Sequence, residues 1–292
     1  MPTFLSAHLF FCEGPHDAAF ISLLLKRKFN FSRINLTISE LPYPFKNIIQ
    51  QSMSRRSAED LRLDLAKKFF LPDFTLSNGE KIIMIFNYGG INRRAESISQ
   101  FLVNAFDLIK EFDAFGSTSD ESEQIPIQYS IFSDADSKGS EVIISEIQNE
   151  FETIGDHKWI SDSWTGIEGS RGLKQDTEYG TTSTYVWRNW ESDDGTLESV
   201  IMECLHESEG LRETLQFIDR KFNWTKPNAN AAERCTADAK RLKAGLCIEG
   251  QHKRPGGSLS VALDQADLIS LADLEKSPTV RDCEKFLRDL LS

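Results

Sequence analysis

The chain lacks the features that mark membrane, secreted and zinc-binding proteins. None of its 292 residues lies in an apolar run close to the ~20 residues of a membrane span. Its five cysteines are scattered without a Cys-x-x-Cys pair, so neither a zinc knuckle nor a disulfide framework is expected. The amino terminus has no basic segment of the kind that begins a signal peptide. These absences predict a cytoplasmic protein with reduced thiols and no membrane contact.

Several nucleotide-binding and catalytic motifs are also missing. No Gly-x-x-x-x-Gly-Lys-Ser/Thr sequence is present, so the chain has no phosphate-binding loop of the ATPase type. No Gly-x-Ser-x-Gly sequence and no Cys/His constellation supports acyl transfer. The five histidines do not cluster, although His16 is placed where it could act as an acid or base. A surface histidine is the more common interpretation of His16.

The formal net charge of −12 leaves little basic surface for nucleic acid. Such a balance counts against broad, non-specific binding, but a local basic face can coexist with acidic helices. The candidate basic segments are 26–28, 55–56, 93–94 and 240–254. Each of these is more typical of a solvated face than of a phosphate contact.

What the sequence does contain is an alternation of apolar strands and amphipathic helices, which predicts an α/β fold with a mainly parallel sheet flanked by helices. We expect strands near 8–12, 34–41, 81–86, 129–134 and 182–190, and a hairpin at Ser77–Gly79. We expect helices over 17–28, 57–70, 93–112, 140–151, 211–222, 231–246 and 279–291. The segment 157–180 is expected to be irregular, and 116–124 is the best candidate for a flexible linker. The carboxyl-terminal portion is predicted to be mostly helical.

Two of the predicted strands end in acidic residues followed by a glycine-containing turn. Glu13 follows the first strand, and Asp134 and Asp136 follow a later one, separated by the small Ala135. In an open parallel sheet, ligands bind at the carboxyl ends of the strands. Carboxylates brought together there repel one another unless a hard cation neutralises them, and Mg²⁺ is the usual one. The pattern therefore predicts a metal site.

Asp17 falls in the first turn of the helix after Glu13. A carboxylate there can cap the helix or join the metal cluster, and the sequence leaves both roles open. Gly14 lets the backbone turn directly after Glu13. A second turn, Gly89-Gly90, follows the strand at 81–86; it is either a tight turn or a source of backbone N–H groups for a phosphate.

The segments EGPHD and SDADSKG, each at the end of a strand, resemble the toprim (topoisomerase-primase) superfamily, and in particular its stand-alone toprim proteins and OLD-type nucleases. The resemblance implies that Glu13, Asp134 and Asp136 bind Mg²⁺, or Mn²⁺ in its place, for phosphodiester chemistry. It also implies a toprim core at 1–155 with hairpin and helix insertions. The portion 156–292 would complete that fold.

The same resemblance suggests two further site residues. Leu197-Glu198, at another strand-to-helix junction, is similar to a Leu-Glu that helps hold a second metal in OLD-type nucleases; a capping carboxylate is the alternative for Glu198. Lys240 and Lys243 lie in a segment similar to the lysine-bearing portion of these families. There a lysine assists at the scissile phosphate, and Lys243 is preferred by position alone.

The predicted function is metal-dependent hydrolysis of DNA or RNA. Because the chain has no ATP-binding loop, any ATPase control would come from a partner protein, and the resemblance extends to a role in antiviral defence. Toprim nucleases are often dimeric, which makes a homo-oligomer one expectation. Two alternatives stay open: a non-catalytic toprim module that binds nucleic acid or a partner, and phosphoryl transfer to a small nucleotide.

Overall fold

The computed structural model describes residues 4–54, 71–115, 125–224 and 228–292. The predicted helix over 57–70, the predicted linker at 116–124 and the basic pair at 55–56 lie outside the described residues.

Among the described residues, eight strands form the central sheet, in the order β2-β3-β4-β1-β5-β10-β9-β8. The strands are β1 (Ser6–Cys12), β2 (Ser32–Arg33), β3 (Phe74–Ser77), β4 (Lys81–Asn87), β5 (Ile127–Asp134), β8 (Thr165–Gly166), β9 (Leu173–Thr177) and β10 (Gly180–Trp187). A separate hairpin joins β6 (Thr153–Ile154) to β7 (His157–Lys158). The four middle strands, β4, β1, β5 and β10, pair in parallel, whereas the strands at both sides of them pair antiparallel.

Strand β1 lies at the centre because it can be buried on both faces. Leu9 and Phe11 point to one side of the sheet and Phe10 and Cys12 to the other, and all four are fully buried. Continuous apolar strands of this kind are typical of parallel sheets covered on both faces. Since β1 runs parallel to both neighbours, its carboxyl end meets theirs at one edge of the sheet.

Helices cover both faces of the sheet. They are α1 (Pro15–Lys28), α2 (Phe45–Ser54), α3 (Arg94–Phe115), α4 (Ser140–Phe151), α5 (Leu197–Cys204), α6 (Glu209–Lys221), α7 (Ala231–Lys253), α8 (Leu259–Gln265), α9 (Leu271–Leu274) and α10 (Pro278–Leu290). Apolar residues of α2, α3 and α4 pack on one face, for example Phe106 and Ile147. The remaining helices build the core on the other face, where Phe20, Leu246 and Phe286 are buried.

The predicted fold class is confirmed. The chain is an α/β protein whose central strands are parallel, whose sheet is flanked by helices and whose carboxyl-terminal portion is helical. The hairpin around Ser77–Gly79 joins β3 to β4 as expected. Strand β10, which follows residue 155, lies in the same sheet as β1, β4 and β5. Within the described residues, none of the helices is both long enough and apolar enough to cross a membrane.

Two local predictions were wrong. Residues 34–41 are not a strand. Ser32–Arg33 pair with β3, the N–H of Ile34 still donates to the Thr75 carbonyl at 3.1 Å, and a 3-10 helix covers Ile38–Glu40. The Glu40 carboxylate accepts hydrogen bonds from the backbone and hydroxyl of Thr37, and this local cap outweighs the strand propensity of the segment. The segment 157–180 is not irregular throughout, because β9 pairs with β10. Strand β9 lies towards the rim of the sheet and is polar. Its sequence therefore lacks the apolar alternation by which a buried strand is recognised.

Packing of α10 against this rim can be tested with two glycines. A Cβ added at Gly172 would overlap the ring of the buried Phe286, whereas nothing lies within 4 Å of a Cβ added at Gly166. We expect Gly172→Ala to lower the free energy of unfolding by about 1–3 kcal/mol, since overpacking a core costs that much. Gly166→Ala should stay within about 0.5 kcal/mol of the wild type. Urea unfolding of both variants measures the difference, and equal stabilities would contradict this packing.

Candidate functional site

Hydrogen bonds tie the carboxyl end of β5 to the start of α5. The N–H and carbonyl of Asp136 pair with those of Gly195, each at 2.8 Å, in an isolated antiparallel bridge. The carboxylate of Asp134, the last residue of β5, accepts a hydrogen bond from the backbone N–H of Leu197 at 2.9 Å. Asp136 has a φ of +50° and so turns away from the strand direction. These contacts fix both aspartates next to the start of α5.

Glu13 is held by the Gly89-Gly90 turn. The backbone N–H of Gly90 donates to the Glu13 carbonyl at 2.9 Å, and the backbone of Ile91 donates to the Glu13 carboxylate. Both glycines have positive φ, +79° and +103°, which a residue with a side chain rarely adopts. The amides of Gly90 and Ile91 are therefore used within the protein by Glu13, which agrees with the tight-turn interpretation.

Asp17 caps α1 and faces the other acidic residues at the same time. One oxygen of its carboxylate accepts from the N–H of Gly14 at 3.1 Å, which closes a capping box. Its other oxygen, Oδ1, is buried without a hydrogen-bond partner. Oε2 of Glu13 is in the same condition. Unpartnered buried carboxylate oxygens are costly, and a cation or its bound water is the usual remedy.

Five carboxyl groups lie at this edge of the sheet: Glu13, Asp17, Asp134, Asp136 and Glu198. The pKa values of the first four are raised by burial and by acidic neighbours. Burial, and then the charges of Glu198 and Glu13, raise the pKa of Asp17 to about 8. Burial raises the pKa of Asp134 well above its usual range, and Asp17, Glu198 and Glu13 raise it further. Burial and the neighbouring Asp136 also raise the pKa of Glu13. The structure thus brings all five predicted metal-site residues into one cluster, called here the carboxylate cluster.

Helix α7 packs against α5 and brings a lysine to Glu198 of the carboxylate cluster. Lys243 Nζ is 3.8 Å from Glu198 Oε1, although half of the Lys243 side chain is exposed. Lys240 is exposed as well. Burial and then Lys243 lower the pKa of His16, so this half-buried imidazole is neutral at neutral pH. Further towards the start of α7, burial and Asp136 raise the pKa of Cys235 to about 11. The predicted preference for Lys243 agrees with this contact, while its catalytic role stays a prediction.

Sequence reasoning missed Arg94. Its fully buried guanidinium donates to both carboxylate oxygens of Glu150 at 2.8 Å and to the Ser133 hydroxyl at 3.1 Å. It also lowers the pKa of Glu13, against the larger effect of burial. The segment 93–94 was interpreted as a solvated basic face, which is wrong for Arg94. The available signal was an arginine in the first turn of a helix, where the helix dipole disfavours a cation unless an acidic partner is present.

The donor set of the carboxylate cluster suits a hard cation. It offers oxygen atoms only, and Mg²⁺ and Mn²⁺ prefer such ligands. The unpartnered oxygens of Glu13 and Asp17, with the buried unpartnered hydroxyl of Thr196, add to that fit. In the described parts of the chain, no three His, Cys, Asp or Glu side chains are arranged so that they could hold a metal ion.

The raised pKa of Asp17 predicts how stability depends on pH without metal. Its pKa is about 8 in the folded protein and about 3.9 in the unfolded chain. The folded state therefore binds the proton more tightly, and stability falls as the pH rises from about 4 to about 8. At about 1.4 kcal/mol per pKa unit, the fall amounts to a few kcal/mol. Asp17→Asn should remove much of it.

Urea unfolding in EDTA across this pH range measures the effect. Asp156→Asn is the matched control, because Asp156 is an exposed carboxyl group in the turn between β6 and β7. It should keep the wild-type pH dependence. An Asp17→Asn variant with an unchanged pH dependence would contradict the burial and mutual repulsion described here.

Comparison with known proteins adds little to this geometry. No protein-family model and no curated protein sequence matches the chain. Among solved structures it is similar to a hypothetical protein from Pyrococcus horikoshii OT3, with 14% identity, a TM-score of 0.45, and coverage of 98% of this chain and 94% of that chain. A similarity this distant carries no argument about function, and the toprim resemblance stays a prediction.

Proposed function

We propose that this protein is a nuclease that uses Mg²⁺ or Mn²⁺ to hydrolyse phosphodiester bonds of DNA or RNA. The observation that carries the proposal is the carboxylate cluster, in which Asp17 and Asp134 are raised in pKa by burial and by their acidic neighbours. Carboxylates that repel one another can remain ionised side by side where a bound cation offsets their charge. Strongly perturbed carboxyl groups at the carboxyl edge of a parallel sheet are typical of functional sites.

Glu13, Asp134 and Asp136 would hold the cation, with Asp17 and Glu198 completing its ligands. When bound, it would supply Lewis acidity for an attack on phosphorus and for departure of the leaving oxygen. Lys243, next to Glu198, places a positive charge beside the cluster, where it can stabilise negative charge that develops on the phosphate. His16, kept neutral by burial and by Lys243, can accept a proton from a water molecule.

The proposal extends to partners by analogy. The sequence contains no ATP-binding loop, so control by ATP would require an ATPase partner. Under this proposal the protein acts on its nucleic acid as the effector of an antiviral defence system, a suggestion that rests on the toprim resemblance alone. A homo-oligomer belongs to the same suggestion.

A second candidate is a non-catalytic module that binds nucleic acid or a partner protein. The net charge of −12 favours it, as does the absence, among the described residues, of a metal-holding group of three side chains. Glu13→Ala separates the two functions. It should abolish turnover by an enzyme and leave a purely binding function largely intact.

The nuclease function predicts metal-dependent cleavage. Supercoiled plasmid, single-stranded DNA and bulk tRNA are incubated with the purified protein in Mg²⁺, Mn²⁺ or EDTA. We expect cleavage of at least one of these polymers with metal and none in EDTA. Asp134→Asn/Asp136→Asn should lower the rate by about 10³-fold or more, since metal ligands hold the main source of transition-state stabilisation.

Asp156→Asn again serves as the control and should cleave like the wild type. A thermal melt with each metal completes the test. Equal cleavage by the double variant, or no cleavage together with no rise in melting temperature on adding metal, would refute the proposed site. Metal stabilisation without cleavage would favour the second candidate.

Lys243 and Lys240 provide a matched pair for the role of α7. Both lysines lie on the same helix, but only Lys243 is described in contact with Glu198. We expect Lys243→Ala to lower kcat by about 10²-fold, the usual effect of removing a positioned transition-state stabiliser. Lys240→Ala should change kcat by less than about twofold, like most surface substitutions. Equal losses in both variants would assign the effect to general electrostatics.

A further inference from the structure

A buried arginine connects the chain on both sides of Asp134 and Asp136. Arg94, the first residue of α3, has no exposed surface. Its guanidinium donates to the Ser133 hydroxyl at 3.1 Å and to both carboxylate oxygens of Glu150 at 2.8 Å. Ser133 directly precedes Asp134 in β5, and Glu150 lies on α4, the helix that follows the turn after Asp136. Arg94 therefore contacts the strand before the two aspartates and the helix after them.

A tyrosine joins the same contacts from the end of β4. Tyr88 follows β4 directly and is 2% exposed. Its hydroxyl donates to the Phe132 carbonyl at 3.1 Å and lies 3.1 Å from the Ser133 hydroxyl. Its backbone N–H donates to the carbonyl of Cys12, the residue before Glu13, at 3.0 Å. Tyr88 therefore links the end of β5 to the end of β1.

The turn between Tyr88 and Arg94 holds Glu13. Backbone amides of this turn donate to the carbonyl and to the carboxylate of Glu13. The chain from Tyr88 to Arg94 thus contacts Glu13 through its middle and Ser133 through the side chains at both its ends. The side chains of this network, called here the brace, are those of Tyr88, Arg94, Ser133 and Glu150.

The turn after Asp136 is tied to the same helix as the brace. Lys138 Nζ donates to Glu146 on α4 at 2.7 Å, and Glu146 lies 3.8 Å from the Arg94 guanidinium. Ser133 and Arg94 have no exposed surface, so water does not compete for their hydrogen bond. Buried polar networks whose members are all hydrogen-bonded make the structure around them rigid. The brace therefore fixes the backbone of the Glu13 strand relative to that of the Asp134 strand.

A fixed backbone limits which cation the carboxylate cluster can accept. Mg²⁺ needs near-ideal octahedral coordination with oxygens at about 2.0–2.1 Å, whereas Ca²⁺ accepts more ligands at about 2.3–2.6 Å in a flexible geometry. Selectivity between these ions depends on the size and the flexibility of the site. Strand ends that are held together resist the widening that Ca²⁺ requires.

We propose that Tyr88, Ser133 and Arg94 are positioning residues of the metal site, and that they favour Mg²⁺ or Mn²⁺ over Ca²⁺ by holding the strand ends of Glu13 and Asp134 together. This inference rests on the proposed function, because it takes the carboxylate cluster as the metal site. It adds the residues that determine which metal binds. The three side chains act through the backbone of the ligands and contact neither the metal nor the substrate.

Metal binding is measured without substrate and without turnover. Electron paramagnetic resonance of free Mn²⁺ gives the Kd of Mn²⁺, and Mg²⁺ and Ca²⁺ are then titrated as competitors. We expect the wild type to bind Mg²⁺ more tightly than Ca²⁺. Ser133→Ala should weaken Mg²⁺ and Mn²⁺ binding by about 10-fold or more, the usual effect of losing a residue that orients metal ligands. Ca²⁺ binding should weaken less, so the ratio of Mg²⁺ affinity to Ca²⁺ affinity should fall.

A second variant and a matched control separate positioning from stability. Tyr88→Phe removes one hydroxyl and keeps the packed ring, so it should lower the affinity ratio in the same direction. Ser130 is also a buried serine of β5 and its hydroxyl lies 2.8 Å from that of Ser183, but it is further from the end of the strand. Ser130→Ala and Ser133→Ala should lower the urea midpoint similarly, because each removes one buried hydroxyl. Ser130→Ala should keep the wild-type affinity ratio.

Substitution of Arg94 is a less specific test, since breaking a buried ion pair destabilises the whole protein. The inference is overturned if Ser133→Ala keeps the wild-type affinities, or if Ser130→Ala changes the affinity ratio as much as Ser133→Ala does. It is also overturned if the wild type binds Ca²⁺ as tightly as Mg²⁺.

Cleavage assays on the same variants distinguish this inference from the nuclease function. Metal-dependent cleavage by the wild type, with an unchanged affinity ratio in Ser133→Ala and Tyr88→Phe, would refute the brace and leave the nuclease function in place. A lowered ratio in both variants, without cleavage of any polymer by the wild type, would support the brace and refute the nuclease function. A wild type that binds no Mn²⁺ would refute both.

Discussion

Repulsion between carboxyl groups at the carboxyl edge of a parallel sheet is the constraint on which the rest of this structure depends. The central strands are apolar on both faces, and their ends converge, so the acidic residues that follow them are placed together and partly removed from water. Backbone N–H groups of Gly14, Ile91 and Leu197 each donate to one of these carboxylates. Arg94 lowers the pKa of Glu13, Lys138 lowers that of Asp136, and Lys243 lies 3.8 Å from Glu198. These contacts offset the repulsion only in part, because the pKa values of three aspartates and one glutamate remain raised.

The sequence predicts those residues of the site that directly follow a strand. Glu13, Asp134 and Asp136 follow apolar runs that are long enough to be buried strands, and a parallel sheet leaves their ends on the same side. The contact between Lys243 and Glu198 could not be predicted in this way. Lys240 and Lys243 are three positions apart and lie within one helix, so both face broadly the same direction, and the docking of α7 on α5 decides which lysine reaches the cluster.

The errors have similar physical origins. The β-branched segment 34–41 was expected to pair in the sheet, but a hydrogen-bonded cap between Thr37 and Glu40 holds it outside. Strand β9 is polar because it lies towards the rim, and its pairing with β10 depends on a neighbour that a local pattern does not reveal. Arg94 was assigned to the surface because its partner Glu150 is distant in the sequence. In each case the structure was determined by a contact that the spacing of apolar residues does not reveal.

The chain order of the cluster has a consequence for its biosynthesis. Glu13 is made before the other members of the cluster, which also needs Asp136 after β5, Glu198 on α5 and Lys243 on α7. Since a chain leaves the ribosome from its amino terminus, the central strand emerges long before the helix that carries Lys243. A nascent or truncated chain therefore carries the first acidic residue without the remainder of the site. The arrangement delays assembly of the complete cluster until α7 has been synthesised.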